Sequence, residues 1–348
     1  MAARISFCPY RLLFKHPFGT AHGMRDGTDA VFIRIEEKGC IGYGEVTLPP
    51  YVEETIAGAI ELIRGIGDNE LSAEAMLRFV LSNPVALDHA PGCRAGIQTA
   101  LVDLLAQQQQ LPAREFLGLR GTKVPMTLMT VGISPLDELE QKLRELPASG
   151  ALKVKVGDPD ASSRIQRIMQ LDNRRLFLDG NQGLASVEDA QALIDRAGVD
   201  RMIGFEQPFG MQHDDLNETL SARTRVVVYG DESIQSLKDL VAKPGLFGGV
   251  NVKLMKCGGL DRATDIVRAA RDVGMHVMLG SMSESSLGCT AMAQLAAEAD
   301  IVDLDGPWLI KNDPFAGIGM DQGRLYVPSG PGLAVRLVAD LEFVVIGA

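Results

Sequence analysis

The sequence predicts an α/β protein in which a small α+β unit precedes a barrel of eight parallel strands. Two observations predict this fold class. From Val124 onward, short apolar runs alternate with helical segments, and eight such runs occur. Strands that alternate with helices form parallel sheets, and eight such units close into a barrel. The preceding residues lack this alternation, because their strands come first and their helices follow.

The N-terminal unit begins with an antiparallel meander. Strands are predicted at 4–14 and 29–37, and Lys38-Gly39 is a turn signal that leads into a third strand at 40–45. The stretch from His16 to Thr28 is rich in Gly, His and Arg and is predicted to be a loop. Helices are predicted at 53–66, 72–81 and 93–109. We therefore expect an α+β domain at residues 1–118.

The barrel is expected at residues 119–312. Its strands are predicted at 124–131, 151–156, 174–179, 202–206, 226–231, 249–254, 275–279 and 301–303. Helices are predicted between them, at 135–147, 160–171, 186–197, 213–221, 235–242, 260–273 and 285–298. Residues 313–348 are rich in Gly and Pro and end in an apolar run. We expect this segment to return to the N-terminal unit.

Composition disfavours several classes of partner. A chain of 348 residues with 46% hydrophobic residues can bury a large core. Its formal charge of −11 disfavours nucleic acid and anionic membranes as partners. The five cysteines are scattered without metal-finger spacing, so we expect reduced thiols and a cytoplasmic location. We expect no signal peptide and no membrane span, because no apolar run is long enough.

Three predicted barrel strands end in a carboxylate. Asp179, Glu206 and Asp231 stand at the C-terminal ends of the third, fourth and fifth barrel strands. Taken singly, each residue could be an ordinary turn or strand terminus. Together they form three hard oxygen ligands with no His or Cys nearby, which is the ligand set that Mg²⁺ prefers. The sequence therefore predicts a magnesium site at the C-terminal mouth of the barrel.

Lysines flank these carboxylates in the sequence. Lys153 and Lys155 point to one side of the second strand, and Asn251 and Lys253 share a face of the sixth. Since the second and sixth of eight strands are opposite, Lys155 and Lys253 would approach a substrate from opposite faces. One lysine would remove a proton α to a carboxylate, and the other would return one to the enediolate. We expect the metal and the neighbouring lysine to lower the lysine pKa.

The motifs that carry these residues resemble those of the enolase superfamily, and most closely its muconate-lactonizing subgroup. They are Lys-Val-Lys (153–155), Asp-Gly-Asn (179–181), Glu-Gln-Pro (206–208), Asp-Glu-Ser (231–233) and Lys-Leu-Met-Lys-Cys-Gly-Gly (253–259). The resemblance covers essentially the whole chain. It implies a modified TIM barrel, (β/α)7β, with an N-terminal α+β capping domain, and it implies a homo-oligomer.

The resemblance also implies roles for individual residues. Asp179, Glu206 and Asp231 become ligands of Mg²⁺, and Lys155 and Lys253 become the acid/base pair. Lys153 would help to hold the substrate carboxylate. Lys256 lies beyond the end of its strand, so its replacement is expected to matter much less.

Two further segments resemble the dipeptide epimerases of this superfamily. Asp303 and Asp305 end the eighth strand on one face, where they could anchor a substrate ammonium group; a solvated loop entry is the alternative. The segment from Gly280 to Gly288 is similar to theirs, which adds Ser281 and Met282 to the substrate-binding candidates, together with Asn181 of the Asp-Gly-Asn motif. The capping loop carries His22 and Arg25, and Arg25 could bind an acidic side chain or be a solvated arginine.

We therefore expect a Mg²⁺-dependent dipeptide epimerase of the L-Ala-D/L-Glu epimerase type, acting on the C-terminal residue of a small dipeptide. A muconate cycloisomerase or an o-succinylbenzoate synthase is the alternative on the same barrel, but their substrates carry no α-ammonium group. A Schiff-base aldolase would use a lysine nucleophile without needing three strand-end carboxylates. A binding or scaffold protein without catalysis is the alternative outside enzymes.

Overall fold

A computed structural model describes residues 2–21, 23–147, 150–321 and 324–347. The N-terminal sheet consists of β1 (Arg4–Thr20), β2 (Gly23–Glu37) and β3 (Cys40–Leu48), paired as an antiparallel meander. The loop predicted at 16–28 is wrong, since Phe18 pairs with Arg25 and Gly19 with Met24. The strands continue because their backbone groups bond each other, and Gly23 adopts a φ of +114° at the tip.

The helices that follow this sheet are α1 (Ile56–Gly67), α2 (Ala73–Leu81), α3 (Val85–Asp88), α4 (Pro91–Gln108) and α5 (Ala113–Phe116). Helices α1 and α4 pack on the sheet, and α2, α3 and α5 pack on α4. The side chains of Thr55 and Ser72 cap α1 and α2 by accepting from the N–H groups of Gly58 and Ala75. Helix α4 is buried along almost its whole length against β3. Its approach requires Gly44, because a Cβ there would collide with the backbone of α4.

The predicted eight-strand parallel barrel is confirmed. Its strands are β4 (Met126–Val131), β5 (Ala151–Lys155), β6 (Arg175–Asp179), β7 (Met202–Glu206), β8 (Val228–Gly230), β9 (Gly249–Lys253), β10 (His276–Gly280) and β11 (Ile301–Asp303). They close in the order β10-β11-β4-β5-β6-β7-β8-β9. Each lies within two residues of its predicted bounds, because buried parallel strands are continuous apolar runs that are distinct from the helices between them.

Helices surround this barrel: α6 (Leu139–Glu145), α7 (Ala161–Leu171), α8 (Val187–Ala197), α9 (Asp214–Arg223), α10 (Leu237–Ala242), α11 (Leu254–Cys257), α12 (Leu260–Asp272), α13 (Ser286–Ala293) and α14 (Gly306–Leu309). Short 3-10 turns occupy Leu136–Glu138, Val199–Arg201 and Ala296–Glu298. The single helix predicted at 285–298 is therefore a helix followed by a turn. In the described part of the chain, no helix has both the length and the apolar character needed to cross a membrane.

The C-terminal segment forms short strands: β12 (Phe315–Ala316), β13 (Gly319–Asp321), β14 (Arg324–Tyr326), β15 (Arg336–Leu337) and β16 (Val344–Val345). Strand β16 pairs antiparallel with β1, where Val345 lies opposite Ser6 and Val344 opposite Phe7. The segment therefore contributes a fourth strand to the N-terminal sheet.

A buried carboxylate joins the N-terminal unit to the barrel. Glu45 of β3 accepts hydrogen bonds from the N–H (2.9 Å) and hydroxyl (2.5 Å) of Ser285 and from the N–H of Gly288 (3.0 Å). Burial raises the pKa of Glu45, and these donors oppose the shift. The contact fixes the N-terminal unit over the C-terminal ends of the strands, above the predicted site.

Candidate active site

The barrel register places the predicted residues at one level. Lys155, the last residue of β5, pairs with Asp179, which in turn pairs with Glu206. Asp231 directly follows β8. All four residues are buried. Because parallel strands end at the same edge of the sheet, the last residues of adjacent strands form one cluster.

One lysine contacts two carboxylates of this cluster and a third from another strand. The Nζ of Lys153 lies 3.0 Å from Oδ2 of Asp179, 2.7 Å from Oε2 of Glu206 and 2.7 Å from Oδ2 of Asp303. Burial lowers its pKa, but the charges of the three carboxylates outweigh burial and the net pKa is raised. Lys153 therefore holds carboxylates of three different strands beside one ammonium group.

The other two predicted lysines stand across the barrel from each other. Three strands separate β5 from β9 in either direction around the barrel. Nζ of Lys155 lies 2.6 Å from Oδ2 of Asp179, and Nζ of Lys253 lies 2.7 Å from Oδ2 of Asp231. The two ammonium groups therefore contact the first and last members of the carboxylate row.

The second lysine, Lys253, is surrounded by carboxylates that act on its pKa. Burial lowers the pKa of Lys253, but the charges of Asp231 and Glu206 outweigh burial, so the net pKa is raised. Burial and the charge of Asp179 also raise the pKa of Glu206, to about 8. The neighbouring carboxylates therefore favour the charged form of Lys253.

Lys256 is a site residue that sequence reasoning undervalued. It lies on the one-turn helix α11 and is buried. Its Nζ donates to the main-chain carbonyl oxygens of Asp231 (2.8 Å) and Asn251 (2.9 Å) and to Oδ1 of Asp231. This position argues against the small effect expected for its replacement. The position of Lys256, three residues after Lys253, is the feature of the sequence that could have indicated this role.

A cavity of about 520 Å³ lies above the carboxylates, a size typical of small-molecule sites. The predicted substrate-binding residues all line it, together with both acid/base candidates: Arg25, Lys153, Lys155, Asn181, Lys253, Ser281, Met282, Asp303 and Asp305. Tyr51 and Thr130 also line it, although sequence reasoning did not single them out. His22 lies outside the described residues.

Asp303 and Asp305 form a partly satisfied acidic pair. Oδ2 of Asp305 accepts from the N–H of Thr130 at 2.7 Å, and Oδ2 of Asp303 accepts from Lys153. Oδ1 of Asp303 is buried and has no hydrogen-bond partner among the described residues. Burial and the charge of Asp303 raise the pKa of Asp305 to about 6. A buried acceptor without a donor is a place where a ligand donor binds favourably.

Arg25 lies on β2 rather than in a loop. Its guanidinium carbon is 5.5 Å from the ring centroids of both Phe14 and Tyr51, and Nη1 donates to Oγ1 of Thr28 at 3.0 Å. Burial lowers its pKa. No carboxylate forms an ion pair with it in the parts of the chain that the structure describes. Ring stacking thus holds a guanidinium at the cavity wall with its charge unneutralised.

The site residues fit a divalent cation by the type of ligand that they offer. The described residues contain no His, Cys, Asp or Glu group already spaced around a metal position, because lysine ammonium groups contact the carboxylates instead. The cluster brings carboxyl side chains together with lysines: Asp179, Glu206, Asp231, Glu232, Asp303 and Asp305 lie near Lys153, Lys155, Lys253 and Lys256. The carboxyl oxygens of this cluster are the hard ligands that Mg²⁺ prefers.

Comparison with known families identifies the class. The family model described as mandelate racemase / muconate lactonizing enzyme, N-terminal domain, matches residues 7–118, and the enolase C-terminal domain-like model matches residues 138–341. The chain therefore belongs to the mandelate racemase and muconate lactonizing enzyme family of the enolase superfamily. The closed barrel and the cluster at its mouth agree with this membership.

Several similar proteins carry names that describe the epimerisation of dipeptides. The L-Ala-D/L-Glu epimerase of Bacteroides thetaiotaomicron is 32% identical over 96% of this chain and 88% of its own length. A hydrophobic dipeptide epimerase of Roseobacter litoralis is 31% identical over 91% of this chain and 94% of its own. A dipeptide epimerase from Cytophaga hutchinsonii, solved with Mg and the dipeptide D-Ala-L-Val, superimposes with a TM-score of 0.89 at 25% identity, and the match covers all of both chains.

Proposed function

We propose that this protein is a dipeptide epimerase that inverts the α-carbon of the C-terminal residue by a two-base proton transfer. The observation that carries the proposal is the placement of Lys155 and Lys253 on opposite strands, with carboxylates between them. The names of the relatives support the same activity.

The proton transfer needs one lysine in each protonation state. A neutral lysine on one face takes the α-proton, and the electrons of the broken C–H bond move into the substrate carboxylate to give an enediolate. The ammonium group on the other face then donates its proton to the same carbon, and the configuration is inverted. Lys155 and Lys253 exchange these roles for the reverse direction, so both isomers are substrates.

Asp179, Glu206 and Asp231 would hold Mg²⁺ in this proposal. When bound, the cation would supply positive charge that stabilises the negative charge of the enediolate. Lys153 lies against the same carboxylates and orients them. Asn251 supports the middle member of the row, because its Nδ2 donates to Oε1 of Glu206 at 2.7 Å.

The acidic pair favours a dipeptide over the alternative substrates. Oδ1 of Asp303 lacks a described donor, and Asp303 lines the cavity that holds both lysines. A free N-terminal ammonium group would supply that donor. The substrates of a muconate cycloisomerase or an o-succinylbenzoate synthase have no such group, so the pair would stay unsatisfied with them.

The test is α-proton exchange. Purified protein with Mg²⁺ is incubated in D₂O with dipeptides that vary at the C-terminal residue, and NMR follows deuterium entry and the appearance of the second diastereomer. We expect both with some members of the set. If no dipeptide showed proton exchange and a muconate were turned over, muconate cycloisomerase would become the favoured assignment.

A further inference from the structure

A second, smaller chamber opens beside the acidic pair. It has a volume of about 110 Å³ and a mainly apolar lining to which Phe14, Phe18, Val131, Leu146, Trp308 and Leu309 contribute, while Lys15, His16, Lys142 and Glu145 add polar groups. Three residues, Phe18, Thr130 and Leu309, line both this side chamber and the main cavity. The two spaces are therefore neighbours that share a wall.

The N-terminal unit and the barrel build the side chamber together. Phe14 and Phe18 belong to β1, whereas Leu146 follows α6 and Trp308 lies on α14. The N–H of Ile133, just after β4, donates to the carbonyl oxygen of Gly19 at 3.0 Å and fixes the hairpin against the barrel here. At the rim, Nε2 of His16 and Oε2 of Glu145 are 2.5 Å apart.

We infer that the side chamber receives the aliphatic side chain of the substrate's N-terminal residue, an inference that rests on the proposed function. An ammonium group bound by Asp303 and Asp305 lies beside Thr130, whose N–H bonds Asp305. From the adjoining α-carbon, the peptide carbonyl leads toward the lysines in the main cavity. The side chain takes another direction, past Thr130 and Leu309 into the side chamber.

The volume of the side chamber selects among side chains. An apolar cavity of about 150 Å³ is large enough to hold benzene, so a chamber of this smaller size suits Val, Leu or Ile better than Trp. Alanine would leave most of the apolar lining without a partner. Each methylene placed in such a pocket changes kcat/KM by roughly 10-fold or more. The inference therefore names dipeptides with a branched aliphatic N-terminal residue as the favoured substrates.

The first measurement is kcat/KM for a series with Gly, Ala, Val, Leu, Phe or Trp at the N-terminus and a fixed C-terminal residue. We expect kcat/KM to rise about 10-fold or more from Ala to Leu and to fall for Trp. Leu146→Phe should lower the Leu/Ala ratio, and Leu146→Ala should raise the Phe/Leu ratio. Leu136→Phe, at an exposed position outside the side chamber, is the matched control and should change neither ratio.

Tryptophan fluorescence gives a readout without turnover. Trp308 is the single tryptophan of the chain and lines the side chamber. Titration with a Leu-Xaa dipeptide should shift its emission more than titration with Gly-Xaa. Equal kcat/KM and equal emission for the two dipeptides would overturn the inference, even if both were epimerised. Emission that responds to Leu-Xaa with no proton exchange from any dipeptide would support the side chamber and reject the proposed function.

Discussion

Lys256 holds Asp231 at two points, since its ammonium group donates to the main-chain carbonyl oxygen at 2.8 Å and also to Oδ1 of the side chain. The other side-chain oxygen, Oδ2, faces Lys253 at 2.7 Å. Asp231 is thereby fixed in orientation by a lysine that lies on α11, beyond the end of the barrel strand. Groups that orient metal ligands typically change metal affinity or activity by about 10–100-fold when they are replaced.

Lys256→Met should therefore weaken Mg²⁺ binding about 10–100-fold, because Asp231 loses the donor that orients it. Isothermal titration with Mg²⁺ measures this effect directly. Lys243→Met is the matched control, since Lys243 pairs with Asp214 at the surface and such pairs contribute about 0–1 kcal/mol. Unchanged Mg²⁺ affinity in Lys256→Met would contradict the orienting role.

Removal of the metal or of its ligands should abolish turnover. EDTA should stop epimerisation and added Mg²⁺ should restore it, because the enediolate is not stabilised without the cation. Asp179→Asn, Glu206→Gln and Asp231→Asn should each lose most activity while circular dichroism stays that of the parent. Full activity of the parent after exhaustive chelation would show that the reaction needs no metal.

The two lysines should fail in different ways. Lys155→Ala and Lys253→Ala should both be unable to epimerise, yet each keeps one base on one face. Each variant should therefore exchange the α-proton of one diastereomer in D₂O, and the two should prefer opposite diastereomers. NMR of the separate L,L and L,D dipeptides distinguishes them. Exchange of the same diastereomer by both variants would falsify the two-face arrangement.

The acidic pair should discriminate between free and blocked dipeptides. N-acetylation, or the double variant Asp303→Asn with Asp305→Asn, should lower kcat/KM by roughly 10–100-fold, because a hydrogen bond to a charged group contributes about 1.5–3 kcal/mol. Mg²⁺ should still bind the double variant. Equal kcat/KM for free and N-acetylated dipeptides would contradict the binding of the ammonium group by this pair, and with it the assignment as a dipeptide epimerase.

The same pair predicts a pH dependence. Asp305 has a pKa of about 6, and only its ionised form attracts an ammonium group. KM for a free dipeptide should accordingly rise as the pH falls through about 6, whereas the KM of its N-acetyl form should not follow this curve. In Asp305→Asn the inflection should disappear. An inflection that persists in this variant would assign the titration to another group.

Arg25 should select for an acidic C-terminal residue. Its guanidinium is held between Phe14 and Tyr51 and forms no ion pair with the described carboxylates, so it can pair with a substrate carboxylate. Ala-Glu should be preferred over Ala-Leu, and Arg25→Ala should erase the preference by lowering kcat/KM for Ala-Glu alone. Arg11→Ala, on the neighbouring strand with surface partners, is the control. If Arg25→Ala kept the preference for Ala-Glu, a residue other than Arg25 would have to bind the acidic side chain.

The barrel and the carboxylate row could be predicted from the sequence because both depend on local pattern. A buried strand such as β7 is an apolar run, and its last residue, Glu206, is the point where the run ends. The register of a parallel barrel then brings such ends together without further information. The domain boundaries, the homo-oligomer, the cytoplasmic location and the roles of the site residues stay predictions.

Features that depend on distant contacts could not be predicted in this way. Lys256 becomes a site residue only because α11 turns it back beneath Asp231. The side chamber requires Phe14, Leu146 and Trp308 to meet, and no local pattern links residues so far apart in the chain. The hairpin was missed because a composition rich in Gly and His is typical of loops, whereas its pairing depends on the opposite strand.

The hydrogen bonds of Glu45 determine how a dipeptide can enter. To swing away as one body, the N-terminal unit would have to leave the donors of Ser285 and Gly288 without an acceptor, at a cost of about 1–3 kcal/mol for each buried group. The tip of the β1–β2 hairpin is instead held by the bond from Ile133 to Gly19. We therefore expect entry and product release by local peeling of this hairpin. Hydrogen exchange should be faster at the amide of Ile133 than at that of Ser285.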